Sequence, residues 1–195
     1  MTRPSAAVFA YHDVGVRCLR ALLAAEFDVQ LVVTHADDPG EARWFASVAE
    51  LARDHDLPCV TPEGGDDPAV LERLRSAPPD FVFSFYYRHL LPDAMILIAS
   101  RGALNIHGSL LPRYRGRAPV NWAVLHGETE TGATLPYMVA RADAGDIVDQ
   151  MAVPILPDDT AAEVMRKVTV AAEVVLVRSL PALIAGTELR RPQRI

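Results

Sequence analysis

Residues 104–119 read L-N-I-H-G-S-L-L-P-R-Y-R-G-R-A-P. Leu104, Asn105, Ile106 and His107 alternate apolar and polar, which is the period of a strand. On such a strand Leu104 and Ile106 face one side, Asn105 and His107 the other. Gly108 and Ser109 break the alternation, so the strand is expected to end just past the histidine. An amide donor and an imidazole would then stand side by side at a strand end. Asn105 can hydrogen-bond a developing oxyanion there, and His107 can move a proton. A lone Asn or His in such a place is ordinarily a turn or capping residue. The pair, followed by G-S-L-L-P and by Arg113, Arg115 and Arg117, is harder to read that way. The three arginines read either as a solvated charged loop or as partners for phosphates or carboxylates.

Upstream, residues 6–11 (A-A-V-F-A-Y) are expected as a buried strand, 12–15 as a turn and 16–25 as a helix. The turn holds one glycine where a dinucleotide fingerprint needs G-x-G-x-x-G, so that fingerprint is absent. A second strand is expected over 29–34, a loop over 37–40, a helix over 44–55 and a short strand over 58–61. A polar loop over 63–68 leads to a helix over 69–76, which Pro78 and Pro79 stop. Residues 80–85 (D-F-V-F-S-F) are apolar enough for a central strand. Residues 86–92 follow its carboxyl end, where open α/β sheets bind ligands. Tyr86 and Tyr87 themselves read as wall residues. A short helix is expected over 92–99.

Downstream, a helix is expected over 118–125 with Pro119 in its first turn. Strands over 132–139 and 146–153 flank a tight loop at 141–145. Thr160 and Glu163 have the spacing of a capping box, opening a helix to about Leu180. The alternation of strands and helices predicts an α/β protein. Its expected form is a Rossmann-like, open, mostly parallel sheet with helices on both faces.

The 195 residues suit a single domain with a substantial core. No window holds some 18 uninterrupted apolar residues, and the most apolar segment, 171–185, is cut by Glu173, Arg178 and Pro181. The first residues lack a signal pattern. Cytoplasm is the expected compartment, with no membrane partner. Cys18 and Cys59 are isolated and read as small buried hydrophobes. The histidines are scattered with no H-E-x-x-H, so no metal is expected. A net charge of −6 argues against non-specific nucleic-acid binding, leaving a local basic patch open.

N-x-H-x-S-L-L-P followed by Y-R-G resembles the folate-dependent formyltransferases, among them those acting on methionyl-tRNA and glycinamide ribonucleotide. The run H-G-S-L-L-P-R-Y-R-G-R-A-P-V-N-W-A-V-L-H-G-E-T-E-T-G looks most like one branch. That branch formylates UDP-4-amino-4-deoxy-L-arabinose in lipid A modification and polymyxin resistance. V-F-A-Y-H-D, F-S-F-Y-Y-R-H-L and R-A-D-A-G-D-I-V-D-Q extend the resemblance over nearly the whole chain.

The resemblance implies transfer of a formyl group from N10-formyltetrahydrofolate to the amine of a sugar nucleotide, without a metal. It implies Asn105, His107 and Asp143 as catalytic residues, with Asp143 paired to His107. Folate contacts would come from the backbone around His89, Leu90 and Leu91, from Arg117, and from Val139, Ala140, Arg141, Ala142 and Asp143. Two features depart from the branch. Thr134-Leu135-Pro136 stands where T-L-H is expected. The β-barrel domain that follows the catalytic domain in the sugar and tRNA branches is not expected here, so residues 1–195 read as that domain alone. A methionyl-tRNA formyltransferase-like enzyme and a catalytically weak folate- or sugar-nucleotide-binding domain remain open alternatives. So does self-association.

Overall fold

Residues Ala6, Ala7, Val8, Phe9 and Ala10 are each at most 1% exposed, because their strand has neighbours on both edges. The computed structural model describes residues 3–36, 40 and 44–194. In it β1 (Ser5–Ala10) is followed by β2 (Asp28–Val33), β3 (Cys59–Val60), β4 (Phe81–Phe85) and β5 (Gly102–Ile106). They form a five-stranded sheet in the order β3-β2-β1-β4-β5. The pairings of β1 with β2 and β4, and of β2 with β3, are parallel. A strand paired on both edges and covered on both faces has no polar side to show, so β1 and β4 read as apolar runs. All five residues of β4 are buried. The expected α/β architecture, with helices flanking the sheet, is therefore the observed one.

The chain divides into two units, residues 1–104 and 105–195. In the first unit, α1 (His12–Ala24) begins where a four-residue turn was expected. Tyr11 is extended and His12 takes φ 66°, so one left-handed residue makes the reversal. Gly15 then lies inside the helix against β1, where an added Cβ would stand 3.0 Å from Val48 and 3.1 Å from Ala10. The expected helix over 44–55 is shorter: α2 (Val48–Asp54) starts at Ser47, whose hydroxyl caps it by accepting the Glu50 N–H. Phe45 is buried beside it, whereas Trp44 is exposed.

Asp67 caps α3 (Pro68–Ser76) by accepting the N–H groups of Ala69 and Val70. The short helix expected over 92–99 is α4 (Asp93–Ile96), a single turn. Of the loop expected over 37–40, residues 37–39 lie outside the described residues.

The second unit holds α5 (Pro119–Leu125), β6 (Glu130–Pro136), β7 (Ile147–Pro154) and α6 (Ala161–Ala185). β6 and β7 pair antiparallel, and their register slips so that Leu135 faces Asp149 while Pro136 faces Ile147. The N–H that Pro136 lacks is thus missing at an irregularity, where proline is tolerated. This also ends β6 earlier than the expected residue 139.

The capping box of Thr160 and Glu163 is formed as expected. α6 passes the expected end at Leu180, runs through Pro181 and closes at Gly186 with φ 68°. Pro181 costs one helical bond, to the carbonyl of Val177, and both residues lie on the exposed face. By length and composition α6 is apolar enough to cross a membrane, yet half of its apolar window is buried within the protein. Its inner face, including Val168, Ala172, Val175 and Leu176, supplies core packed on β6 and β7.

Candidate active site

Asn105 lies at the end of β5, and His107 follows as a single antiparallel bridge to Thr134. The His107 N–H donates to the Thr134 carbonyl, and the Thr134 N–H to the His107 carbonyl, each at 2.9 Å. The backbone on either side of the imidazole is therefore fixed. The ring itself is buried. Its Nε2 lies 2.8 Å from the Tyr114 carbonyl, which can only accept, so Nε2 carries a proton. Its Nδ1 lies 3.5 Å from Asp143 Oδ1. The Asn105 amide donates to that same oxygen at 3.4 Å. The other oxygen, Oδ2, accepts the Gly116 N–H at 2.9 Å. One carboxylate thus gathers both strand-end side chains and the arginine-rich loop. The structure brings Asn105, His107 and Asp143 together, although Asp143 is 38 residues from Asn105.

A buried polar network supports this arrangement from behind. Thr134 Oγ1 donates to the Ser109 carbonyl at 2.6 Å and accepts from Leu111 N–H and Gln150 Nε2. Gln150 Nε2 also donates to the Leu111 carbonyl at 2.8 Å. Every polar group of Thr134 is satisfied, which a fully buried hydroxyl requires. These bonds fix the S-L-L segment between His107 and the arginines.

The three arginines divide by role. Arg113 pairs with Glu128, which also accepts the Tyr114 hydroxyl at 2.6 Å. These contacts lower the Glu128 carboxyl from its usual range, the Arg113 bond most of all and the Tyr114 bond next. Arg115 bonds Gln193. Arg117 is exposed and pairs with no side chain among the described residues. A cation left available in this way can meet an anionic ligand.

Val139, Ala140, Arg141 and Ala142 are exposed in the loop between β6 and β7. Asp143 takes φ 54°, a left-handed conformation that Asp accepts more readily than most residues. Gly145 is pressed against β6: an added Cβ would lie 2.1 Å from the Tyr137 carbonyl oxygen.

In the first unit, His89, Leu90 and Leu91 follow the carboxyl end of β4, as expected. His89 is half-buried and Leu90 exposed. An added Cβ on Gly65 would come within 2.3 Å of the Leu90 carbonyl, so the 63–68 loop presses on this segment. Tyr87 is buried and stacks on His35, with ring centroids 4.4 Å apart. Burial pushes its hydroxyl up to about 12, and pushes that of Tyr86 up as well. Neither hydroxyl has a hydrogen-bond partner among the described residues, and both tyrosines pack as walls.

Sequence reasoning missed His35. Its Nε2 accepts the Arg88 N–H at 3.0 Å, and its ring lies 4.9 Å from that of His89. Burial first, then the neighbouring His89 and Arg88 charges, lowers its pKa to about 4. His35 lies two residues past β2, so the strand-end rule that singled out residues 86–92 would have found it. Sequence reasoning also missed the Tyr114 carbonyl and the Gly116 N–H, backbone groups that no pattern of side chains announces. Cys18 is buried as expected, while Cys59 is only half-buried. Among the described residues, no three His, Cys, Asp or Glu side chains converge as a metal site.

A family model described as formyl transferase matches residues 10–180. The chain belongs to the formyl transferase family. Its class as an enzyme is that of the family, a formyltransferase. Solved structures are similar over the whole chain. Glycinamide ribonucleotide transformylase 1 from Symbiobacterium toebii has a TM-score of 0.81 at 24% identity, covering 99% of this chain and 94% of its own. WlaRD, a sugar 3N-formyl transferase solved with dTDP and 5-N-formyl-THF, has a TM-score of 0.81 at 22% identity, covering 100% and 68%. The N-formyltransferase from Helicobacter canadensis, in complex with folinic acid and dTDP-3-aminofucose, has a TM-score of 0.74 at 20% identity, covering 99% and 68%. At these identities the likeness is one of fold.

Proposed function

We propose that this formyltransferase moves the formyl group of N10-formyltetrahydrofolate onto the amine of a sugar nucleotide, UDP-4-amino-4-deoxy-L-arabinose, in cytoplasmic lipid A modification. The observation that carries the reading is the Asp143 carboxylate held at both Asn105 and His107. Formyl transfer needs an attacking amine, a stabilised tetrahedral oxyanion, and a proton moved from that amine to the departing nitrogen. The Asn105 amide can donate to the oxyanion; loss of one such donor costs roughly 2.7–4 kcal/mol in other enzymes. His107 can take the proton at Nδ1, the nitrogen facing Asp143, and return it to the leaving group. General acid–base steps of this kind are worth about 10²- to 10⁴-fold in rate. Asp143 orients the ring and balances its charge while the proton is held.

The resemblance assigns folate contacts to the backbone around His89, Leu90 and Leu91, to Arg117, and to residues 139–143. Arg117, exposed and unpaired with any described side chain, suits an anionic group of folate. The sugar acceptor rests on the run from His107 to Gly132 and is supported by the sugar-formylating relatives. Glycinamide ribonucleotide is the second reading, favoured by the match over 94% of the Symbiobacterium enzyme's own length. The test offers the chain the folate donor with each of three acceptors: the amino-arabinose nucleotide, glycinamide ribonucleotide and methionyl-tRNA. Formylation of the sugar nucleotide alone supports the proposal. Formylation of either other acceptor in its place overturns the sugar assignment.

A further inference from the structure

The chain after α6 has almost no regular structure, yet it is tied to the candidate site at several points. Arg191 and Ile147 exchange backbone bonds at 2.8 and 2.9 Å. The Tyr137 hydroxyl donates to Glu188 at 2.7 Å, and the Arg190 guanidinium lies 3.9 Å over the Tyr137 ring. Beyond these anchors comes Gln193. Its Nε2 donates to the Asp143 carbonyl at 2.9 Å and to the Gly145 carbonyl at 2.7 Å. Its Oε1 accepts from the Arg115 guanidinium, at 2.6 Å from Nη2 and 3.3 Å from Nε. Both N–H groups and the carbonyl oxygen of one amide are in use.

These bonds join the two loops that the trio depends on. The loop bearing Arg115 also supplies the Tyr114 carbonyl to His107 and the Gly116 N–H to Asp143. The other loop carries Asp143 itself. Asp143 holds a left-handed backbone conformation, which persists only where its surroundings over-determine it. Gln193 grips the carbonyl of that residue and of the one two positions on.

We propose that Gln193 is a positioning residue for formyl transfer: by clamping the Arg115 loop to the Asp143 loop, it sets the Asp143 carboxylate against His107. The proposal rests on the trio reading given above. Gln193 touches neither substrate nor reacting atom in this account. It acts through Asp143.

The experiment uses the full chain with Gln193→Met, which keeps the length and removes every bond, and Gln193→Glu. The second variant keeps an acceptor for Arg115 but turns a carboxylate toward two carbonyls. Gln193 is half-buried in a tail, outside the core, and melting temperatures check that each variant folds. A misplaced catalytic group costs up to about 100-fold in rate. The expected result is a kcat about 10- to 100-fold lower in both variants, with the acceptor KM unchanged. A smaller folded fraction would also lower kcat at unchanged KM, so each kcat is divided by the folded fraction before comparison. Each variant is then combined with Asp143→Asn. Because Gln193 acts through Asp143, the Gln193 change should add no further loss in the Asp143→Asn background. Wild-type kcat in Gln193→Met overturns the proposal, and so does an equal loss from Gln193→Met with or without the Asp143 carboxylate. If Asp143→Asn alone leaves kcat intact, the trio reading falls and takes this proposal with it; intact kcat in Gln193→Met beside a crippled Asp143→Asn sinks the clamp alone.

Discussion

Asp143 Oδ2 accepts the backbone N–H of Gly116 at 2.9 Å, and its Oδ1 faces both His107 and Asn105. The carboxylate therefore has one oxygen engaged in structure and one turned to the two strand-end side chains. Asn at this position would still accept from Gly116, but it would turn a neutral N–H₂ toward the Asn105 amide, which needs an acceptor, and it would carry no charge to balance His107 once Nδ1 has taken a proton.

Asp143→Asn should accordingly fold and still bind a stable folate analogue within a few-fold of the original affinity. Its transfer rate should fall about 10²- to 10⁴-fold, the range for disabling a proton-transfer group. Calorimetry and steady-state kinetics on the same preparation check both halves. An unchanged rate removes Asp143 from the mechanism.

Gly145→Ala tests how the loop is seated. The new methyl would meet the Tyr137 carbonyl oxygen at 2.1 Å, a backbone atom that cannot swing aside. The loop must move, taking Asp143 with it. Overpacking of this kind costs about 1–3 kcal/mol, and the rate should fall together with the stability. Denaturant unfolding and kinetics read the two effects. A variant with normal stability and normal rate would show that Gly145 is not seated as described.

His35 gives a pH prediction. Its folded pKa, about 4, lies below the ~6.5 of an unfolded histidine. Between these values the unfolded chain binds a proton that the folded chain does not, so stability falls as pH drops through this window. The loss begins below about 6.5 and is complete near the folded value. His35→Gln keeps an acceptor for the Arg88 N–H and does not titrate. Its unfolding free energy should vary less than the wild type's between pH 7 and 4. Parallel curves for the two proteins would contradict the buried, neutral state of His35.

The strands were legible because burial wrote itself into composition. Residues 81–85 are all apolar but for Ser84, and they form a strand paired within the sheet. Asn105 and His107 were legible for a related reason, since two polar groups interrupt an apolar strand at its end. The contact of Asp143 with the strand-end pair was foreseen only through the family resemblance, because it spans 38 residues to Asn105 and leaves no local pattern. The start of α1 was misjudged because a left-handed His12 carries no sequence signature where Gly or Asn would have. α2 was overextended because Trp44 and Phe45 look like the beginning of an apolar helix face, while the Ser47 cap sets the real start. Gln193 gave no signal at all. Its role comes from two carbonyls about 50 residues away, and carbonyls belong to every residue.

The central claim is that Asn105, His107 and Asp143 carry out formyl transfer, and the most direct measurement is mass spectrometry of single-turnover reactions with an isotopically labelled formyl donor. Saturating donor and UDP-4-amino-4-deoxy-L-arabinose are mixed with excess wild-type chain or with His107→Ala, whose folding is checked by its melting temperature. The account predicts one labelled formyl group gained by the sugar nucleotide with the wild type, at a rate about 10²- to 10⁴-fold above that of the variant. Equal rates for the two proteins, or no formylated product from the wild type with any amine acceptor, would contradict it.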